Sequence, residues 1–415
     1  MFRFRCLAFF SLLWPILTTA AMSSEDWQVS GFTSLGLGRM QEPGLEFLGY
    51  DNEKWRAKGD SVLGLQLNAD MAERLSMTLQ VVSRGYNQDD TNSFEPELDW
   101  LFLSYHLNSA WRIRIGRMRT PHYLYSETVD VGYSYVWARP PIDVYSTILS
   151  TFSYFDGADI RYLTHSNNVD IDLQLFSGYM KRSRDNLEIK VEPMIGGNIS
   201  LQWEQWKLRY GLIYDRTDIR LQPTANFESN LEAVIAFDSS YQSVKDALNA
   251  DDAWYRYQTL GLHWDGEPVA IISEVFDIKN TDDGFQNDAH GWYLSAHMPL
   301  GKFTPYLVRG AFTNEYNLDA FATVNNSLQS FPTGQPGYEG FDAFRLQALN
   351  RLELNNYDQS TWTLGLRYDL MSNVALKAEW QRFDFHSNSS GQITRNAQDT
   401  SSHAALTTLI IDVVF

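Results

Sequence analysis

The chain offers charge, not nucleophiles, as its working chemistry. Arg112 and Arg114 stand two apart in the stretch WRIRIGRMR, and Arg84, Arg161 and Arg209 sit in other stretches of alternating polarity. In an extended backbone successive side chains point to opposite faces, so Arg112 and Arg114 share one face while Trp111, Ile113 and Ile115 take the other. The segment that follows carries Glu127, Asp130 and Asp143, with Arg139 among them. Arginines on a wall and carboxylates on a segment facing it would hold a transverse field across the gap between them. Such a field orients dipolar hydrated solutes and sets an ion preference. The competing reading is that these charges pair with each other, Arg139 with the loop acids included, and only fasten the segment to the wall.

Covalent chemistry has little to work with. The single cysteine is Cys6, and no G-x-S-x-G elbow occurs. His106, His263 and His297 lack any regular metal-ligand spacing. Thr281-Asp282-Asp283-Gly284-Phe285-Gln286-Asn287-Asp288 has oxygen ligands at calcium-like spacing but no distant bidentate Glu, so it reads as a solvated loop tip. No catalytic residue, metal or cofactor is expected, and the chain reads as a non-enzyme.

Composition removes further classes. Lys and Arg number 33 against 51 Asp and Glu, a net charge of −18, which disfavours nucleic acid as a partner. Met1 to Ala21 starts basic at Arg3 and Arg5, runs apolar from Cys6 to Leu17 and ends on Thr19-Ala20-Ala21. That is the layout of a secretory signal peptide, with the mature domain at 22–415. The run is too short to span a bilayer and is broken by Pro15. Its removal takes the charge from −18 to −20, because residues 1–21 hold two arginines and no acid. Mean hydropathy is −0.32. A β-barrel hides its lipid contact in every second residue, so this value does not exclude a membrane. An aromatic content of 14%, with 22 Tyr and 13 Trp, suits girdles at two membrane interfaces.

Stepping along the sequence, alternating runs come in pairs joined by very short turns. Leu63, Leu65 and Leu67 turn at Met71 to Arg74 into Leu75, Met77 and Leu79. Leu101, Leu103 and Tyr105 turn at Asn108-Ser109 into Trp111, Ile113 and Ile115. The same pattern recurs around Ser166-Asn167-Asn168, Glu204-Gln205, Asp265 to Pro268, Leu300-Gly301 and Ser372-Asn373. With the first strand near Trp27 to Leu37 and a last one ending on Phe415, the total is about sixteen, the even number of short strands an outer-membrane barrel needs. Tyr105, Trp111, Trp203, Trp206, Trp264, Tyr368 and Trp380 lie near the short turns, as one girdle would. Parity makes Arg84, Arg112, Arg114, Arg161, Arg209, Arg367 and Lys377 inward-facing, with Asp159, Asp170, Asp172, Glu204, Asp369, Glu379 and Asp412.

The long connections fall at about 39–60, 86–96, 118–157, 180–194, 217–253, 280–289, 314–360 and 386–403. The third reads RTPHYLYSETVDVGYSYVWARPPIDVYSTILSTFSYFDG, far more apolar and aromatic than an exposed loop, and it needs a wall to pack against. Its Tyr123, Tyr125, Tyr133 and Tyr135 would either anchor it or form a slide for sugars. A terminal strand with Leu409, Ile411, Val413 and Phe415 on one face would be an aggregation edge unless it closed a barrel.

Sixteen strands, a C-terminal Phe and a long packed loop after strand five together resemble the Gram-negative outer-membrane porin superfamily. GFTSLGLG (Gly31 to Gly38) and Arg114-Ile115-Gly116-Arg117 are similar to porin segments. The resemblance implies an all-β transmembrane antiparallel barrel whose third loop, about 118–157, folds into the lumen as the pore constriction. It implies a bacterial outer-membrane location among lipid and lipopolysaccharide, delivery by the barrel-assembly machinery through the Phe415 strand, and a homotrimer. The implied function is passive diffusion of small hydrophilic solutes and ions, with a selective channel for a sugar, oligosaccharide or anion as the alternative. An outer-membrane enzyme and a purely structural barrel are the remaining options.

Overall fold

The computed structural model describes residues 26–415 apart from 87–92, 146–152, 185–186, 222–224, 249–252, 282–287, 315–317, 331–337, 354–356, 387–388, 390 and 396–400. The leader at Met1–Ala21 and the tip at 282–287 lie outside the described residues.

Sixteen antiparallel strands close into one barrel. In chain order they are β1 Trp27–Met40, β2 Val62–Ala72, β3 Leu75–Arg84, β4 Pro96–His106, β5 Trp111–Arg119, β6 Tyr154–Ser166, β7 Val169–Arg184 and β8 Leu187–Trp203. The second half holds β9 Trp206–Leu221, β10 Ala253–Trp264, β11 Ala270–Asn280, β12 Ala289–His297, β13 Phe303–Asn314, β14 Asp358–Met371, β15 Val374–Phe385 and β16 His403–Val414. Each strand pairs with its sequence neighbours, and the register Phe32↔Val414 to Met40↔Leu406 joins the ends. Phe415 completes the seam, its N–H donating to the Gly31 carbonyl at 2.9 Å while Gly31 N–H donates to its carbonyl at 2.7 Å. The apolar terminal strand therefore has no free edge.

The short turns all lie at the end of the barrel where the chain starts and finishes. Asn167 and Asn168 adopt φ of 49° and 63°, the left-handed pair that a two-residue hairpin with the natural strand twist requires. The outer face is apolar: Leu364 is 58% and Ile115 62% exposed, as are many other outward leucines to lesser degrees. In water such a surface would aggregate, whereas in lipid it is the buried side. Near the turns Trp203, Trp206 and Trp264 stack, with centroids 6.3 and 5.6 Å apart, and Trp111 packs on Tyr162 at 4.6 Å. Trp380 is not part of this ring; it pairs with Leu364 in mid-strand. No described helix is long and apolar enough to cross a membrane.

Two differences from the sequence reading stand out. First, the fourth connection is not a loop of 180–194, because β7 and β8 run on as a projecting ribbon of 16 and 17 residues. Second, two connections fold into helices: α1 Ala225–Phe237 and α2 Gln242–Ala247 after β9, α3 Leu318–Ser330 and α4 Tyr338–Glu353 after β13. Phe227, Leu231, Val244, Val324, Phe344 and Leu352 build an apolar core among them. As the apolar third connection required, the main core of the molecule is inside the barrel. Inward-facing Phe155, Phe176, Met194, Ile213, Tyr257, Phe276, Tyr293 and Phe312 surround Tyr123, Tyr135, Trp137 and Tyr145 of the connection after β5.

Candidate functional site

The connection between β5 and β6 sits against inward-facing side chains around most of the barrel. Its path is fixed by polar contacts at intervals. The Arg209 guanidinium of β9 donates to the carbonyls of Pro121 and His122, the latter at 2.8 Å. On β11 the Glu274 carboxylate accepts from Leu124 N–H at 2.8 Å, and also from the hydroxyls of Tyr145 and Tyr293. Arg367 of β14 donates to the carbonyls of Tyr133 and Tyr135 at 2.9 and 2.8 Å. Lys377 of β15 donates to those of Gly132 and Trp137, both at 2.6 Å. A Cβ on Gly132 would run into the Asp412 carboxylate, so the close approach to β16 needs glycine there. The tyrosines serve anchoring: Tyr133 donates to the Ser372 carbonyl at 2.8 Å and Tyr135 to that of Val129 at 3.0 Å, while Tyr123 packs on Tyr145 at 5.0 Å.

Arg139 goes elsewhere than the sequence suggested. It pairs with none of the loop acids. Its fork reaches Asp60 at 2.7 Å and Glu379 at 3.2 Å and donates to Thr408 at 2.6 Å, tying the connection after β1, the loop and the β15–β16 wall together. Asp143 forms no ion pair among the described residues; it accepts from Gln359 at 3.0 Å and from the Thr361 hydroxyl. Burial pushes its carboxyl up to about 6, against the opposing pull of those two donors.

Glu127 and Asp130 do face arginines. Asp130 lies 2.7 Å from Arg84 and 2.6 Å from Arg119, and Asp99 bridges the same two guanidinia at 3.0 and 2.7 Å. Burial alone would raise Asp130, but the two arginines overcome it and hold the group well below the usual carboxylate range. Arg114 forks onto Asp159, and Glu127 stands 3.5 Å from Arg114 and 4.0 Å from Arg161, whose main partner is Asp172. Arg112 makes no ion pair or hydrogen bond among the described residues, and its Nε is buried without a partner. Sequence reasoning missed Asp99, Arg119, Glu274 and Lys207. Lys207 lies on the inward parity of β9, two residues before Arg209, and that spacing was the available signal.

Between the start of the loop and the β6–β9 wall lies a cavity of about 270 Å³. Pro121, Leu124 and Glu127 close it on one side; Arg161, Asp172, Gln174, Asn198, Ser200, Gln202, Lys207 and Arg209 line the wall. No described residues form a cluster able to hold a metal ion.

A closed sixteen-strand barrel with its longest apolar connection turned inward has the architecture of outer-membrane porins. Solved structures with this fold include the anion-selective porin from Comamonas acidovorans, with TM-score 0.57 at 12% identity over 94% of this chain and 99% of that one. The outer-membrane channel DcaP of Acinetobacter baumannii gives 0.56 at 13% over 96% and 100%. OmpF of Salmonella typhi, in complex with daunomycin, gives 0.56 at 9% over 95% and 100%. At these identities the likeness is one of fold. No family model and no curated protein sequence matches the chain.

Proposed function

We propose that the protein is a porin of the bacterial outer membrane, a passive channel for small hydrophilic solutes and ions with no catalysis of its own. The observation that carries this is the division of the interior. The loop is packed by apolar contacts against β10–β13 and against Phe155, Phe176, Met194 and Ile213 of β6–β9, while β2, β3 and the turn-proximal parts of β7 and β8 keep polar inward residues such as Gln66, Asn68, Gln80, Gln174 and Asn198. Water and solutes need such a polar wall to pass. In this reading the segment 120–153 narrows the pore, and Arg84, Arg112, Arg114 and Arg161 with Glu127 and Asp130 set the field at the narrow point. Arg139, Asp143 and Arg209 hold the loop in place. Residues 1–21 act as the secretion leader, the strand ending at Phe415 addresses the assembly machinery, and the barrels associate as trimers among lipid and lipopolysaccharide.

Purified protein reconstituted into liposomes should make them permeable to small sugars, with rates falling as solute size rises, and should give stepwise conductance in planar bilayers. Vesicles that stay sealed to the smallest sugars would overturn the channel reading in favour of a structural barrel. Hydrolysis of an ester substrate by the detergent-folded protein would overturn the non-enzyme reading.

A further inference from the structure

The cavity beside the start of the loop has a charge pattern that loop fastening does not explain. Its acids are committed: Asp172 pairs with Arg161, and Glu127 stands between Arg114 and Arg161. Asp170 is well exposed and held by His165 at 2.7 Å. Of its lining cations Arg161 is paired, but Lys207 and Arg209 have no acid partner among the described residues. Lys207 makes no ion pair or hydrogen bond among the described residues, and neither does Arg112, which lies outside the lining but stands opposite Arg161 in the β5–β6 register. Arg209 is bonded only to backbone carbonyls, which satisfy its donors without neutralising it. A half-buried cation without a counter-charge favours an acceptor from outside.

The neutral part of the wall adds a second element. Gln174 and Asn198 are opposite each other in register, Ser200 stands opposite Asp172, and Gln202 opposite Asp170. They offer amide and hydroxyl groups in a row beside the cations, with Leu124 and Leu163 as small apolar rims. A volume of about 270 Å³ is at the small end for a ligand pocket and suits one solute of monosaccharide size.

We propose that this cavity binds a single small hydroxylated organic anion, its carboxylate or phosphate held by Lys207 and Arg209, with Arg112 adding its charge from beside the lining, and its hydroxyls by the amide row. The inference rests on the channel reading and sharpens it, making the pore one that retains such solutes briefly during passage.

The test uses single-channel recording of the full-length mature barrel at about 0.1 M salt, where charge is only partly screened. Sodium glucuronate should reduce the conductance saturably, while glucose at the same concentrations should not. Lys207→Gln should raise the half-blocking concentration about tenfold, the scale of one lost charge-assisted hydrogen bond, and Arg112→Gln should raise it less, through the charge lost beside the cavity. The heat-dependent mobility shift of the folded barrel confirms that both variants fold. Equal block by glucose, no block at all, or unchanged block in both variants would overturn the site while leaving the channel standing. Inorganic phosphate blocking as well as glucuronate would remove the role of the amide row and overturn the organic-anion assignment. If the wild type conducts nothing, the channel reading falls instead. Calorimetric titration of glucuronate into the detergent-folded protein then decides the site alone, which stands if binding is seen and is lost in Lys207→Gln.

Discussion

Replacing Arg139 by alanine tests whether the loop is held by its charges or by its aromatic packing. The guanidinium lies 2.7 Å from Asp60 and 3.2 Å from Glu379 and is 8% exposed, as is the Asp60 side chain, while that of Glu379 is 2% exposed. Its removal strands two carboxylates. Breaking a buried pair costs about 3 to 5 kcal/mol, and the low end applies because lumen water can reach the gap left by the side chain. About 3 kcal/mol at roughly 1.4 kcal/mol per decade is a hundredfold or so in the population of the detached loop. The amide of Ala138 reports on it, since it donates to Glu379 and to the Tyr306 hydroxyl, both at 3.1 Å. Hydrogen exchange at Ala138 should accelerate by about two orders of magnitude, and single-channel current should become noisier, with the barrel itself unaltered. Arg139→Lys should fall between, as one ammonium cannot reach Asp60, Glu379 and Thr408 together. Wild-type exchange at Ala138 in the alanine variant would refute the charge latch and leave packing as the cause.

Four further outcomes follow from the same geometry. Asp143 has its carboxyl pushed up from 3.8 to about 6 in the folded protein, so its contribution to loop stability is full below 3.8 and is lost as pH rises through about 6; exchange in residues 141–145 should quicken over that window, and Asp143→Asn should abolish the dependence. Arg112→Glu should move the reversal potential in asymmetric salt toward cations, whereas Arg114→Glu should chiefly lower the yield of folded barrel, because Asp159 has no exposed side-chain surface and would lose its partner. Deleting Phe415 removes both seam bonds to Gly31 and should reduce assembled barrel in the outer membrane, scored by the heat-dependent mobility shift. Lys377→Met frees the carbonyls of Gly132 and Trp137 and strands the buried Asp412 carboxylate, so it should loosen the loop by hydrogen exchange and lower the yield of folded barrel.

The barrel was legible in the sequence wherever one face of a strand is apolar and the other polar, as in Leu63 to Ala69 or Leu101 to Leu107. Parity there is decided by a single residue step. It blurs over Trp254 to Gln258 and Val269 to Phe276 because both faces are apolar: Tyr255, Tyr257, Ile272 and Phe276 face the loop, while Trp254, Ile271 and Val275 face outward. A lipid-facing row and a core-facing row look alike in a string of letters. The helices after β9 and β13 did leave a trace, since Phe227 and Leu231, Ala320 and Val324, and Phe344, Ala348 and Leu352 are spaced by four. Neither pair of helices has its core until the other loop supplies it, so the trace carried little weight alone. The partners of Arg139 were beyond reach, because Asp60, Glu379 and Thr408 come together only when the barrel closes.

The placement of cations inside the barrel separates holding from selecting. On the β14–β16 side each has a task within the protein: Arg367 bonds two loop carbonyls and Asp369, and Lys377 bonds two more and lies 2.9 Å from Asp412. A charge saturated in this way presents little field to a passing ion. On the opposite wall Arg84, Arg114 and Arg161 are matched to acids, so their field is that of short dipoles set across the gap. Arg112, Lys207 and Arg209 have no acid partner among the described residues, and an unmatched charge in a narrow low-dielectric passage acts over a longer range than a dipole. The net charge of −18 therefore says little about what crosses. These three residues on β5 and β9, not the total, should decide the sign of the ion preference.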